Sequence, residues 1–269
     1  MGLRINNNVE AFNAHRQLSA TSDKLGKSME RLSSGYRINR AADDAAGLAI
    51  SEKLRGQISG LAQAQRNAED AISLVQTAEG SLTEVHAMLQ RIRELAVQYK
   101  NGSLSNADRI AIQSEVNMLG SEVERIGSTA QFNGIQLLNV NQTISFQVGS
   151  EDGEIITITT ISLGQGVPPA TYALSTANAT DLAEIDQAID NISAQRAQFG
   201  AVQNRLDHTL NNLSIYQENL QASESRIRDV DMAAQMVEFT KLQILQQSGT
   251  AMVAQANQLP QSVLQLLQG

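Results

Sequence analysis

The chain has no cysteine and no tryptophan, only three prolines, and aromatic residues at 3% of its 269 positions. Without thiols there are no disulfides and no thiolate chemistry, and the commonest structural zinc ligand is missing. With so few aromatic rings, a compact core built on large anchors is not the expectation. Seams of Leu, Ile, Val and Ala along extended helices are the alternative, and scarce proline leaves such helices unbroken. Long apolar runs are absent too: no segment approaches the roughly 20 apolar residues that span a bilayer. Residues 1–12 mix Arg4, Glu10 and several Asn into the apolar positions, so neither a cleaved signal peptide nor membrane insertion is expected.

Positive charge is also in short supply. Lys and Arg number 20 against 28 Asp and Glu, a net charge of −8, which argues against nucleic-acid binding. The imbalance is uneven along the chain. Residues 1–40 hold seven bases against three acids, whereas residues 232–269 hold one acid, Glu238, and one base, Lys241. An almost uncharged, Gln-rich C-terminal helix reads poorly as a solvated surface and well as something buried in an assembly.

What the sequence does have is helical periodicity. From Leu54 through Leu61, Val75, Leu82, Leu89 and Leu95 to Tyr99, apolar residues recur at threes and fours, with one step of seven between Leu61 and Ala68. That spacing keeps one stripe facing a partner helix. Asn101-Gly102 then supplies a stop, a second stripe runs from Ile112 to Ala130, and a third spans about 181–224. Each stripe can cover another, so the fold class is mainly α: a long antiparallel helical bundle. Between the second and third stripes the period drops to two. Ile144, Phe146 and Val148, then Ile156 and Ile158, alternate with polar residues around a Gly-rich turn, which predicts a β-hairpin near 143–160.

The ends carry weaker stripes. Leu25, Met29, Leu32 and Tyr36 step by four, three and four, and a looser series runs from Met232 through Met236, Phe239, Leu242 or Leu245, Met252 and Ala256 to Val263 and Leu267. Isolated helices gain little without packing, so both ends are expected to be poorly ordered in a free subunit and to fold on assembly. Asp43-Asp44 precedes a helix and reads as an N-cap before it reads as a cation site. His15, His86 and His208 stand far apart, and no HExxH, nucleophile elbow or phosphate loop occurs. No catalytic residue, metal site or cofactor is expected.

Long runs at both ends carry a family resemblance. LSSGYRINRAADDAAGLAISEKLRGQI at 32–58, NAEDAISLVQTAEGSL at 67–82 and LQRIRELAVQ at 89–98 closely resemble the N-terminal region of bacterial flagellins. GAVQNRLDHTLNNL at 200–213, ENLQASESRIRDVDMA at 218–233 and AQANQLPQSVLQLL at 254–267 resemble their C-terminal region. The resemblance implies a structural, non-enzymatic filament subunit without outer domains, secreted through the flagellar export apparatus and located outside the cell. It implies that residues 1–40 and 232–269 pair as an inner coiled coil, and that 41–231 form a rod of three long helices with the hairpin. Polymerisation contacts would then come from Leu25, Met29, Leu32, Met252, Val253, Leu259, Val263, Leu264 and Leu267. Gly35, Tyr36 and Arg37 would form the hinge between the two parts. The implied partners are further copies of the chain, an export chaperone on the C-terminal helix, the filament cap and hook-junction proteins, and the vertebrate Toll-like receptor for flagellin, met by Arg91, Leu95 and Glu115. A hook–filament junction protein shares this architecture and is the nearest rival; a helical signalling adaptor is the more distant one.

Overall fold

The computed structural model describes residues 8–167, 174 and 181–268, with backbone alone for 165 and 259–268. In chain order its elements are α1 (Val9–Ser34), α2 (Ala45–Tyr99), α3 (Asn106–Thr129), β1 (Gln131–Phe132), β2 (Ile135–Gln136), β3 (Thr143–Gln147), β4 (Ile155–Thr159), the short α4 (Leu163–Gly166), α5 (Asp181–Arg228) and α6 (Met232–Gln268). The fold is mainly α, with two small antiparallel hairpins among the described residues. The chain divides into two compact units, one of residues 57–218 and one combining 1–56 with 219–269.

Local chemistry sets the helix ends. Asn8 caps α1 through its side chain, which accepts from Ala11 N at 3.0 Å. Asp44 accepts from Gly47 N at 2.9 Å in the same way before α2, so the capping reading of that position holds. Asp43 closes the preceding turn by accepting from the backbone of Asn39 and Arg40. Ser105 and Asp108 cap each other's backbone at the start of α3. Asp231 accepts from Ala233 N and Ala234 N ahead of α6.

Within the unit of residues 57–218, α2 and α5 run antiparallel. Gln65 meets Ser214, Glu79 meets Arg196, Arg93 meets Asp186 and Lys100 meets Asp181, so numbers rise on one helix as they fall on the other. Most of the α2 stripe is buried: Leu61 is closed from solvent, and Ala68, Val75, Ala78, Leu82, Val85, Leu89, Ile92 and Leu95 join one hydrophobic core with Ile112, Val116 and Val123 of α3 and Ile185, Ile192, Phe199 and Leu206 of α5, with Ile58, Ile72 and Tyr99 half-buried. The hairpin lies where the alternation placed it, Thr143 opposite Thr159 and Gln147 opposite Ile155. Ile156 and Ile158 turn into the core, and buried Gln195 of α5 donates to Thr159 O at 2.9 Å. The tight β1–β2 hairpin turns on Asn133 and Gly134, both at positive φ, the combination that a two-residue primed turn requires.

Candidate assembly helices and chain junction

In the other unit, α1 and α6 pack against each other in antiparallel order. Asn8 donates to Ala256 O at 2.7 Å, Gln235 donates to Ser28 Oγ at 2.6 Å, and a Cβ at Gly249 would meet Leu18 Cδ1 at 3.1 Å. Their covered stripes are strict heptads. On α1 the least exposed positions are Ala11, Ala14, Leu18, Thr21, Leu25, Ser28 and Leu32; on α6 they are Gln235, Phe239, Leu242, Gln246, Gly249, Val253 and Ala256. Both step by threes and fours, the geometry of a coiled coil. Small residues alternate with leucines on α1, which lets the two backbones approach closely.

This stripe departs from the one read in the sequence. Leu25, Leu32 and Val253 lie on it half-buried, but Met29, Met232, Met236 and Met252 lie off it and exposed. The physical reason is that apolar residues lie on more than one side of these helices, and the side covered within the chain is the one where small and polar residues between the large ones let the backbones approach. Leu259, Val263, Leu264 and Leu267 stand on the last turns of α6, and their side chains lie outside the described residues. Phe12, Val237 and Ile244 add to the outward apolar face, Phe12 at 71% exposure.

At the end of α1 the chain is clasped to the segment between α5 and α6. Gly35, at φ +75°, ends α1 by donating its N–H to Arg31 O, the left-handed cap that glycine adopts without strain. Tyr36 then forms an antiparallel bridge with Asp229: Arg37 N donates to Arg228 O at 2.7 Å and Val230 N to Gly35 O at 3.0 Å. The Arg37 side chain donates to Ile227 O at 2.6 Å. Arg228 lies over the Tyr36 ring, 4.8 Å from its centroid, and donates to Glu52 Oε1 at 2.7 Å. That hydrogen bond from Arg228 holds the Glu52 carboxyl below its ordinary value. Gly47 is needed nearby, because a Cβ there would come within 2.8 Å of the buried Ile38 side chain. Gly35, Tyr36 and Arg37 are therefore brought together, and residues 227–230, which sequence reasoning did not single out, complete the clasp. A signal for them existed in the Arg-Ile-Arg-Asp-Val-Asp stretch, whose charges are dense for a helix end.

Arg91 and Glu115 are also brought together, across α2 and α3. Arg91 Nε and Nη2 both donate to Glu115 Oε1, at 3.0 and 2.9 Å, and Nη1 donates to Glu94 at 3.2 Å. The Glu115 bond is the main reason the guanidinium is held more firmly protonated than usual. Leu95, by contrast, is 2% exposed and belongs to the core. One helical turn from Arg91, it points inward, so it does not share the exposed face. His15, His86 and His208 come into no common site, and among the described residues no group of three potential ligands could hold a metal ion.

Residues 5–143 match the bacterial flagellin N-terminal helical region, and residues 182–267 match the C-terminal helical region. The chain belongs to the bacterial flagellin family. A flagellin of Halalkalibacterium halodurans is 52% identical, the match covering 98% of this chain and 99% of the relative. A flagellin of Bacillus subtilis is 48% identical over 98% of this chain and 100% of its own. The crystal structure of Bacillus cereus flagellin matches with a TM-score of 0.51 at 32% identity, covering 55% of this chain and 88% of that one. A hook-associated protein structure from Vibrio parahaemolyticus has a TM-score of 0.58 at 17% identity, covering 70% of this chain and all of its own, a likeness of fold alone. The protein is thus a structural subunit of the flagellar filament, which lies outside the cell. The hairpin β3–β4 falls almost wholly in the gap between the two flagellin regions.

Proposed function

We propose that this flagellin polymerises through α1 and α6, with residues 1–40 and 232–269 as the inner coiled coil and 41–231 as the rod. The observation that carries this is the second apolar face of the helix pair. One stripe of each helix is covered within the chain, while Phe12, Met29, Val237, Ile244 and Met252 remain outside, the last three on α6, whose only charged side chains are Glu238 and Lys241. Apolar surface removed from water contributes about 25 cal/mol per Å², and ordering the ends opposes it at roughly 1–2 kcal/mol per residue. Assembly driven by such a difference is cooperative and reversible. Before assembly, the same face on α6 suits an export chaperone; the unfolded chain then passes through the export channel and folds beneath the filament cap, after the hook-junction proteins. Removing residues 232–269 should leave a folded rod that does not polymerise, read by negative-stain imaging after seeding. Normal filaments from the truncated chain would overturn the assignment.

A second reading is favoured by the Arg91–Glu115 pair. Both side chains are about half exposed, and a large guanidinium fixed by a carboxylate is a frequent anchor of protein interfaces. Arg91 and Glu115 are proposed to meet the vertebrate Toll-like receptor for flagellin in the free subunit, with Leu95 supporting α2 from beneath. Arg91→Ala should weaken receptor activation strongly in a reporter-cell dose series. Equal activation by both proteins would remove the pair from the receptor contact and leave the filament role intact.

A further inference from the structure

Four of the six methionines among the described residues lie on the terminal helices, and all four are exposed. Because cysteine is absent, the seven methionine thioethers are the only sulfur in the chain. Of the two methionines in residues 57–218, Met88 of α2 packs against the hydrophobic core and Met118 of α3 is 69% exposed. On the terminal helices Met29 is 56% exposed, Met232 48%, Met236 49% and Met252 62%. Three of these stand at one level of the helix pair, set by the Gln235–Ser28 hydrogen bond at 2.6 Å. In an antiparallel pair of right-handed helices, the residues that follow two facing core positions turn to the same flank. Met29 follows Ser28 and Met236 follows Gln235, so their thioethers share a flank, and Met232 lies one turn from Met236.

We propose that Met29, Met232, Met236 and Met252 form an oxidant-sensitive gate on assembly, modified by peroxide-class oxidants in the free subunit and shielded in the filament. The inference rests on the reading that these helices are buried between subunits. Methionine is unbranched and polarisable, and it adapts to irregular apolar contacts. Oxidation changes that character without altering charge. A lone pair of the sulfur attacks one oxygen of hydrogen peroxide; the O–O bond breaks as the S–O bond forms. The sulfur is oxidised by two electrons, the peroxide is reduced, and its second oxygen leaves as water with both protons. The product is a polar, chiral sulfoxide on a surface that must lose its water to pack. With neither thiol nor indole in the chain, no more readily oxidised side chain competes for the oxidant.

The test uses full-length, unassembled protein treated with hydrogen peroxide, peptide mapping by mass spectrometry, and seeded polymerisation. Sulfoxide is expected at the four terminal-helix methionines and at Met118, with Met88 spared. The critical concentration for assembly should rise about tenfold or more, equivalent to about 1.4 kcal/mol or more. Methionine sulfoxide reductases with a thiol reductant should restore assembly. The fourfold variant M29L/M232L/M236L/M252L should keep assembling after peroxide, whereas Met118→Leu should not protect. Unchanged assembly of wild-type protein oxidised at all four positions would overturn the gate. So would a fourfold variant that loses assembly on treatment as the wild type does. Reductase rescue needs no substitution, so its failure overturns the gate even where the fourfold variant does not polymerise untreated. The underlying assembly reading fails separately, if Met29→Glu and Met236→Glu polymerise normally without any oxidant.

Discussion

Residues 57–218 and the unit formed from 1–56 and 219–269 bury different things. The first closes its largest apolar side chains, among them Phe199, Leu82, Leu89, Ile185 and Ile192, within its own core. In the second, the pair α1–α6 closes over Thr21, Ser28, Leu242 and Ala256, and leaves Phe12, Met29, Val237 and Ile244 outside. The same helical periodicity therefore yields two outcomes. A seam of large aliphatic residues gains most of its stabilisation inside the chain. A seam in which small and hydrogen-bonded residues alternate with half-buried large ones gains less, because a net hydrogen bond contributes only about 0.5–1.5 kcal/mol. Such a seam holds two helices in register while keeping their apolar faces available.

The contrast is sharpest in amide exchange. In the free subunit, α1 and α6 should exchange orders of magnitude faster than α2 and α5, and in the filament the difference should largely vanish. Equal protection of all four helices in the free subunit would mean that both regions are complete on their own. Next in size is a core truncation. Phe199→Ala should destabilise residues 57–218 by about 3–5 kcal/mol, read as a lower denaturant midpoint, without changing the α1–α6 register. Smaller still is Ser28→Ala, which takes the partner from the half-buried Gln235 amide at a cost of about 1 kcal/mol. Adding Gln235→Leu should recover much of that loss while loosening the register. Cysteine pairs placed at Leu18 and Gly249, or shifted by seven residues, would report slippage through disulfide formation.

The smallest effect belongs to the clasp. Arg228 holds the Glu52 carboxyl below its ordinary value of 4.5, so the folded state binds this proton less readily than the unfolded chain. The stabilisation is fully present above 4.5 and is lost as pH falls through the lowered folded value. Acidification into that window should release Arg228 from Glu52 and alter the Tyr36 ring signals in a nuclear magnetic resonance titration. Glu52→Gln should remove the transition, and an unchanged titration in that variant would assign it to other carboxyls, Asp43 among them.

Much of residues 57–218 was legible from spacing. The stripe from Leu61 to Leu95 is the stripe that is buried, and the alternation at 144–158 is the hairpin, because large apolar residues at a regular period have one way to leave water. Gly127 was less legible: it sits where a Cβ would meet Leu163 Cδ1 at 3.2 Å, and no periodicity of hydrophobic residues marks a position whose value is its lack of a side chain. Leu95 shows the converse. Its spacing from Arg91 allowed a shared face, and only the position of the core on α2 separates the buried side of that turn from the exposed one.

The terminal helices mark the boundary between the two kinds of knowledge. Composition and period alone establish that 232–269 is a nearly uncharged helix with too much apolar surface for solvent, and that the chain carries no sulfur chemistry except methionine's. Which of its apolar faces is covered in the chain is settled by the packing of α1 on α6. Close approach favours the stripe where Ser28 can meet Gln235 and Gly249 can admit Leu18, so small residues there matter as much as the large ones between them. Likewise Gly35, Tyr36 and Arg37 announce a turn, but their partners at 227–230 lie about 190 residues away. That pairing exists because backbone N–H and C=O groups leaving two helices side by side must find partners, and the fold puts those two exits together.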